Sequence, residues 1–182
     1  MIALRSARLV LDAPREADID AVLRACQDPE ILRWIPLPHP YTRESAEFFV
    51  RSYGPHGLAS GSYTVWALRP SVTSLLVGVM EVRKDEAPGS ASIGCWLTPD
   101  ARGAGYMREA LARVVQHAFD PAGLALTRLR WESLIGNGTS RRLAESAGFA
   151  FDPAAEHTVD FLGEPMPAEV GVLDSAGRAG GD

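Results

Sequence analysis

Apolar residues alternate with polar ones at Ala7, Leu9 and Leu11 in IALRSARLVLDAP, which predicts an opening strand ended by Pro14. Over Asp18 to Ala25 the spacing lengthens. Ile19, Val22 and Leu23 share one face of a helix there, and Pro29 marks the turn after it. The segment RWIPLPHPYT holds three prolines, which exclude regular structure and leave Trp34 and Tyr41 on a loop. A second helix is predicted near Arg43 to Tyr53, with Thr42 as its cap and Ser45 close behind.

The pattern then changes to strands in SYTVWALR, SLLVGVMEVRK and SASIGCWLTP, β-branched or aromatic runs broken by Pro or Gly and read as three consecutive antiparallel strands. RGAGYMREALARVVQHAF sets Tyr106, Ala110, Leu111, Val114 and Ala118 at helical spacing. LTRLRWESL alternates Leu129 and Trp131 against Arg128, Arg130 and Glu132 as a strand. A short helix over roughly 138–147 stops at Gly148, an expected left-handed cap, and weaker strands lie around Phe149 and Glu169 to Leu173. SASIGCWL, the long helix and LTRLRWES make a β-α-β unit whose right-handed crossover sets its two strands parallel. The fold class is therefore α/β (α+β): a mixed, mostly antiparallel central sheet of about seven strands flanked by about four helices.

The chain has 182 residues, 46% hydrophobic and 23% charged, enough to bury one sizeable core. A single domain over residues 1–174 is expected, with SAGRAGGD at 175–182 a disordered tail by composition. No apolar run approaches the ~20 residues of a membrane span and the N-terminus has no signal-peptide pattern, so a cytoplasmic location is expected. Cys26 and Cys95 have neither metal-ligand nor redox-pair spacing, and the four histidines form no i, i+4 pair; two reduced thiols and no metal are expected. A net charge of −5 provides no basic field to gather nucleic acid, and it suits a cationic substrate such as an amine only weakly.

The stretch DARGAGYMREAL carries the densest chemical signal. A helix N-terminus presents unpaired N–H groups and a dipole that favour an anion. Gly103 and Gly105 permit positive φ and remove Cβ atoms that would hold a phosphate away, while Arg102 adds a charged donor. Taken alone, RGAG is equally well a tight strand-to-helix turn with a surface arginine. It lacks both the Lys-Ser/Thr end of a nucleoside-triphosphate loop and the three-glycine spacing of a dinucleotide fold.

Preceded by SIGCWLTPDA and followed by NGTSRRLAESAGF, this loop resembles the acyl-coenzyme-A site of the GNAT N-acetyltransferase superfamily, whose signature is Arg/Gln-x-x-Gly-x-Gly/Ala. Arg102 and Gly105 match it, and Met107 departs at the last position, as in the RGxGYM form of the RimJ/RimL-like branch of ribosomal-protein N-terminal acetyltransferases. RLVLDAPREADIDAVL, DPEILRWIPLPHPYT, VGVMEV and AFDPAGLALTRL extend the resemblance through most of the chain; the C-terminal segment matches poorly.

The resemblance implies a splayed parallel strand pair with the pantetheine arm of acetyl-coenzyme A in the gap. The backbone of Trp96 and Leu97 would hold the arm. Arg102, Gly103, Ala104, Gly105, Tyr106 and Met107 would bind the pyrophosphate through main-chain N–H groups, and Asn137 and Ser140 would contact the arm from the next element. Glu132, five residues before Asn137, stands where related enzymes carry a proposed base; it reads equally as a solvated partner of Arg130. Glu81 is the other candidate base. The tyrosine that many members use as general acid is Ala144 here, so Ser140 is the candidate acid, though a serine there also suits an ordinary helix start, as Asn137 suits a cap.

The implied activity is transfer of acetyl to a primary amine, a protein N-terminus or a small molecule, by direct attack in a ternary complex. An α-amino group costs about 1 kcal/mol to deprotonate at pH 7 and a lysine about 4.6, which favours the former. Trp34, Tyr41 and Arg33 are candidates to line the acceptor cleft, and the C-terminal strand is a candidate homodimer interface. The competing readings are a catalytically silent coenzyme-A-binding module, kept open by Ala144, and transfer of another acyl group such as succinyl.

Overall fold

The computed structural model describes residues 2–175. In chain order it contains a hairpin of β1 (Leu4–Arg5) and β2 (Leu9–Asp12), then helices α1 (Ile19–Cys26), α2 (Pro29–Trp34), α3 (Arg43–Phe48) and α4 (Gly54–Ser60). Strands β3 (Tyr63–Pro70), β4 (Gly78–Lys84) and β5 (Ser90–Leu97) follow, then α5 (Tyr106–Phe119), β6 (Arg128–Leu134) and α6 (Gly138–Ser146). The final strands are β7 (Ala150–Phe151), β8 (His157–Phe161) and β9 (Glu164–Asp174). They form one sheet in the order β1-β2-β3-β4-β5-β6-β9-β7, with β8 paired to β9. Every pairing is antiparallel except β5 with β6.

Alternation along the strands sorts side chains onto two faces, and each face has its own core. Trp66, Met80, Val82, Leu129 and Trp131 pack with Leu111, Val114 and Val115 of α5 on one side. Val65, Val79 and Trp96 pack with Ile19, Val22, Ala46 and Val50 of the helices α1 to α4 on the other. Arg69, at the end of β3, is 3% exposed and holds Asp12 at 2.7 Å and Asp18 at 2.6 Å, tying β2 and the turn before α1 to the sheet. Removing one side of such a buried network strands the other charge. Arg69→Met should therefore lower stability by about 3–5 kcal/mol, read as a shift in urea midpoint with little change in slope.

Three departures from the sequence reading have local causes. The opening strand is a hairpin because the Ser6 hydroxyl accepts the Leu9 N–H at 3.1 Å and turns the chain at Ala7 and Arg8. Pro29 opens a helix rather than a turn: the Asp28 carboxylate caps the Ile31 N–H at 3.2 Å, and proline suits the first helical position. Trp34 therefore ends α2, and the proline-rich loop begins at Ile35. The helix expected near Arg43 to Tyr53 is capped by Thr42 as read, but runs through a π-helical turn, Phe49–Tyr53, into α4. The expected left-handed cap at Gly148 is present, with φ +98°. Of the segment read as a tail, Ser175 bonds Thr127 O through its N–H at 2.9 Å; residues 176–182 lie outside the described residues.

Candidate active site

The parallel pair opens partway along. Residues 90–93 of β5 pair with 128–131 of β6, ending at Ile93 and Trp131. Beyond that point each strand stays paired only to its outer neighbour, β5 to β4 as far as Leu97 and β6 to β9 as far as Leu134. The inner backbone edges of 94–97 and 132–134 thus face a gap of about 530 Å³, roofed by Trp34 and closed by Met107, Asn137 and Leu143. An exposed strand edge offers N–H and C=O groups to an extended amide-bearing ligand. Ser133 lines the same gap, and its buried hydroxyl finds no partner among the described residues. Such an orphan is costly unless a ligand completes it.

Each of the two strands leads into a helix that begins at the gap. At α6 the Asn137 carboxamide oxygen caps the Ser140 N–H at 3.1 Å, leaving its amide NH₂ as the group free to reach a ligand. At α5 the N-cap is Gly105, which has no side chain to bond the first-turn N–H groups. Gly103 and Gly105 have φ +76° and +79°, and a Cβ built on Gly103 meets nothing within 4 Å. The open space and the uncapped amides fit a phosphate.

The loop is braced from both sides. Arg8, at the hairpin tip, donates to Ala104 O at 3.0 Å and to Glu109 at 2.7 Å, and its guanidinium covers the Tyr106 ring at 5.0 Å. Burial alone would raise the Glu109 pKa, but hydrogen bonds from Ser6 and Arg8 hold it below the usual carboxylate range. Arg102 lines the gap and pairs with Asp28 at 2.6 Å, which ties the loop to α2, and the hydrogen bond from Arg102 lowers the Asp28 pKa.

A second cavity of about 640 Å³ lies on the α1–α4 side of the sheet and shares Gly94, Cys95 and Trp96 with the gap. Glu81 stands in it, cross-strand from Gly94; it accepts the Tyr53 hydroxyl at 2.8 Å and lies 2.8 Å from Arg83. Glu132 occupies the equivalent place on the other flank, one residue past the Ile93–Trp131 pair. By strand alternation Glu81, Gly94 and Glu132 form a row on one face, two carboxylates beside a residue with no side chain. Gly94 leaves that row open, since a Cβ there would meet nothing within 4 Å. Glu132 is ion-paired with Arg130 and lines the gap rather than the second cavity.

Ser140 Oγ accepts the Trp131 indole N–H at 2.9 Å, leaving its own proton to donate. Ala144 is fully buried, so no hydroxyl replaces the missing tyrosine at that position. Cys26 and Cys95 are unpaired thiols, and burial pushes the Cys95 thiol up to about 12. Of the residues expected to line an acceptor cleft, Tyr41 lines the second cavity. Trp34 lines the gap, and Arg33 stacks on the Trp34 ring at 4.5 Å, because the capped α2 carries both onto its last turn. Sequence reasoning missed Tyr53, Arg8 and Ser133. Tyr53 is aimed by the π turn, Arg8 acts on a partner 101 residues away, and Ser133 matters only where the strands part.

The chain belongs to the acetyltransferase (GNAT) domain family, whose model matches residues 8–150. Among solved structures it is similar to Mycobacterium smegmatis RimJ in complex with a coenzyme A disulfide, at 18% identity over 98% of this chain and 88% of that one (TM-score 0.81). It is also similar to RimL, a ribosomal L7/L12 alpha-N-protein acetyltransferase in complex with coenzyme A, at 17% identity over 95% and 98% (TM-score 0.80). MccE, a microcin C7 self-immunity acetyltransferase in complex with acetyl-coenzyme A and AMP, matches at 15% identity over 93% of each chain (TM-score 0.79). At these identities the likeness is one of fold.

Proposed function

We propose that this protein moves the acetyl group of acetyl-coenzyme A to a primary amine by direct attack within a ternary complex. The observation that carries the reading is the meeting of two cavities at Gly94. One is the gap edged by unpaired backbone and headed by the glycine loop; the other is a separate chamber with a carboxylate at the junction. Main-chain N–H groups of 102–107 would hold the pyrophosphate, and the edges of Trp96 and Leu97, with Asn137 and Ser133, the pantetheine arm. Desolvation raises the Cys95 thiol, which disfavours the thiolate that would carry the acetyl group itself and so favours direct attack.

An amine arriving through the second cavity meets Glu81 first. Glu81, oriented by Tyr53, is therefore the favoured base, Glu132 the alternative, and Ser140 the donor to the departing thiolate. An α-amine, whether a protein N-terminus as for RimL or a small molecule, suits this site better than lysine on the cost of deprotonation. The buried Ala144 favours one second reading, a module that binds coenzyme A without turnover. Thiol release from acetyl-coenzyme A with a panel of amines separates the two: amine-dependent release supports transfer, and calorimetric binding with no release from any amine supports the silent module.

Ser133 provides a test of the gap in isolation. Ser133→Ala removes an unsatisfied buried hydroxyl, so stability should hold or rise by up to about 1 kcal/mol, while the Kd for coenzyme A rises about five-fold. Unchanged affinity would remove Ser133 from the binding surface.

A further inference from the structure

The second cavity has a composition that its role as an acceptor site does not require. Its walls include Leu37, Phe48, Phe49, Val79 and Trp96, with Thr42, Glu44 and Ser45 as a polar part, and its volume of about 640 Å³ lies in the ~300–1,000 Å³ range of small-ligand sites. Phe48 stands at its edge 60% exposed, an aromatic surface with no protein covering it. At the junction Arg83 is paired with Glu81, and the Arg83 guanidinium lies 4.7 Å from the Tyr63 ring centroid. Glu44 also lines the cavity and has no ion pair among the described residues, so the lining carries one net negative charge, which suits the cation of a single primary amine and disfavours a carboxylate.

From the apolar walls, the enclosed volume and the Glu81 carboxylate at the junction with the gap, we infer that the acceptor is a primary amine carried on an aryl or branched-alkyl group. The inference rests on the acetyl-transfer reading above and deepens it. The apolar group lies against Phe48, Phe49 and Leu37, which places the nitrogen at Glu81 beside Gly94. Amines borne on small polar groups, such as a serine N-terminus, leave these walls wet and are poor acceptors. The same apolar group occurs in a free arylalkylamine, whose nitrogen is an alkylamine like that of lysine, and in the first residue of a peptide beginning with phenylalanine, whose α-amine costs less to deprotonate.

The test uses the full chain and two readouts. Thiol release is measured with 2-phenylethylamine, a pentapeptide beginning with Phe, the same pentapeptide beginning with Ser, ethanolamine and spermidine. Binding of 2-phenylethylamine to protein saturated with coenzyme A is measured by calorimetry. The expected result is a kcat/KM at least about ten-fold higher for an apolar amine than for the serine peptide, ethanolamine and spermidine. The ratio of 2-phenylethylamine to the Phe peptide identifies the source. Phe48→Ser, at an exposed position, should weaken 2-phenylethylamine binding about five-fold while leaving the affinity for coenzyme A unchanged. Equal or faster turnover of the serine peptide, ethanolamine or spermidine overturns the inference and leaves acetyl transfer standing. Saturable 2-phenylethylamine binding that Phe48→Ser weakens, with no thiol release from any amine, supports the inference and contradicts the activity. Absence of both binding and release overturns both.

Discussion

Gly105→Val should raise the Kd for coenzyme A by about thirty-fold or more, equivalent to about 2 kcal/mol, while the protein stays folded. Gly105 sits at φ +79° as the N-cap of α5, a conformation that costs an L-residue about 1–2 kcal/mol and a β-branched one more. Its built Cβ lies 3.4 Å from Arg8 Nη2, so a valine also presses on the side chain that holds Ala104 O and Glu109. The loop can relieve both only by turning its amides away from the gap. Stability should fall too, with a drop in Tm of about 2–8 °C. Gly163→Val separates the two effects. Gly163 has φ +90° and a built Cβ that meets nothing within 4 Å, but stands in the turn joining β8 to β9. It should show a comparable loss of Tm and no change in Kd.

Glu81→Gln should lower kcat by about 10²–10⁴-fold with little change in the KM for acetyl-coenzyme A, and Glu132→Gln by less than about ten-fold. The carboxamide keeps the shape of the side chain and the acceptor for Tyr53, and loses the charge paired with Arg83 together with the ability to take a proton. Both carboxylates have an arginine partner, but Glu81 borders the second cavity, the proposed route of the amine, whereas Glu132 lines the gap on the other flank of Gly94. The pH profile gives a second readout. With Glu81 intact, kcat/KM should rise with pH until the acceptor amine is deprotonated, near pH 8 for an α-amine with pKa ~7.8. In Glu81→Gln the residual rate should follow hydroxide further upward. A reversed order of the two variants would assign the base to Glu132.

The periodicity of SASIGCWL, RGAGYMREALARVVQHAF and LTRLRWES is enough to place a β-α-β unit, and the two glycines are enough to mark a positive-φ turn at the start of its helix. These signals are local, so the chain displays them in one dimension. The opening of β5 from β6 is not local. It depends on where the pairing stops, at Ile93 and Trp131, and no residue there announces it. The same limit hid the Arg8–Glu109 and Arg102–Asp28 braces, whose partners lie far apart along the chain. At Pro29 the error was of a different kind. Proline reads as a breaker, but the preceding aspartate makes it a helix start, and that sets Trp34 and Arg33 on the last turn of α2. Glu81 was legible as an acidic residue within an apolar strand; its setting between Tyr53 and Arg83 required the π turn that no periodicity signals.

The central claim is that acetyl-coenzyme A occupies the gap between β5 and β6 with its diphosphate on the loop before α5. A crystal structure of the protein soaked with coenzyme A tests it most directly. The diphosphate oxygens should lie within about 3 Å of main-chain N–H groups between residues 102 and 107, with the pantetheine amides paired to the free edge of 94–97. A diphosphate bound elsewhere, or a pantetheine arm lying outside the gap, would contradict the account.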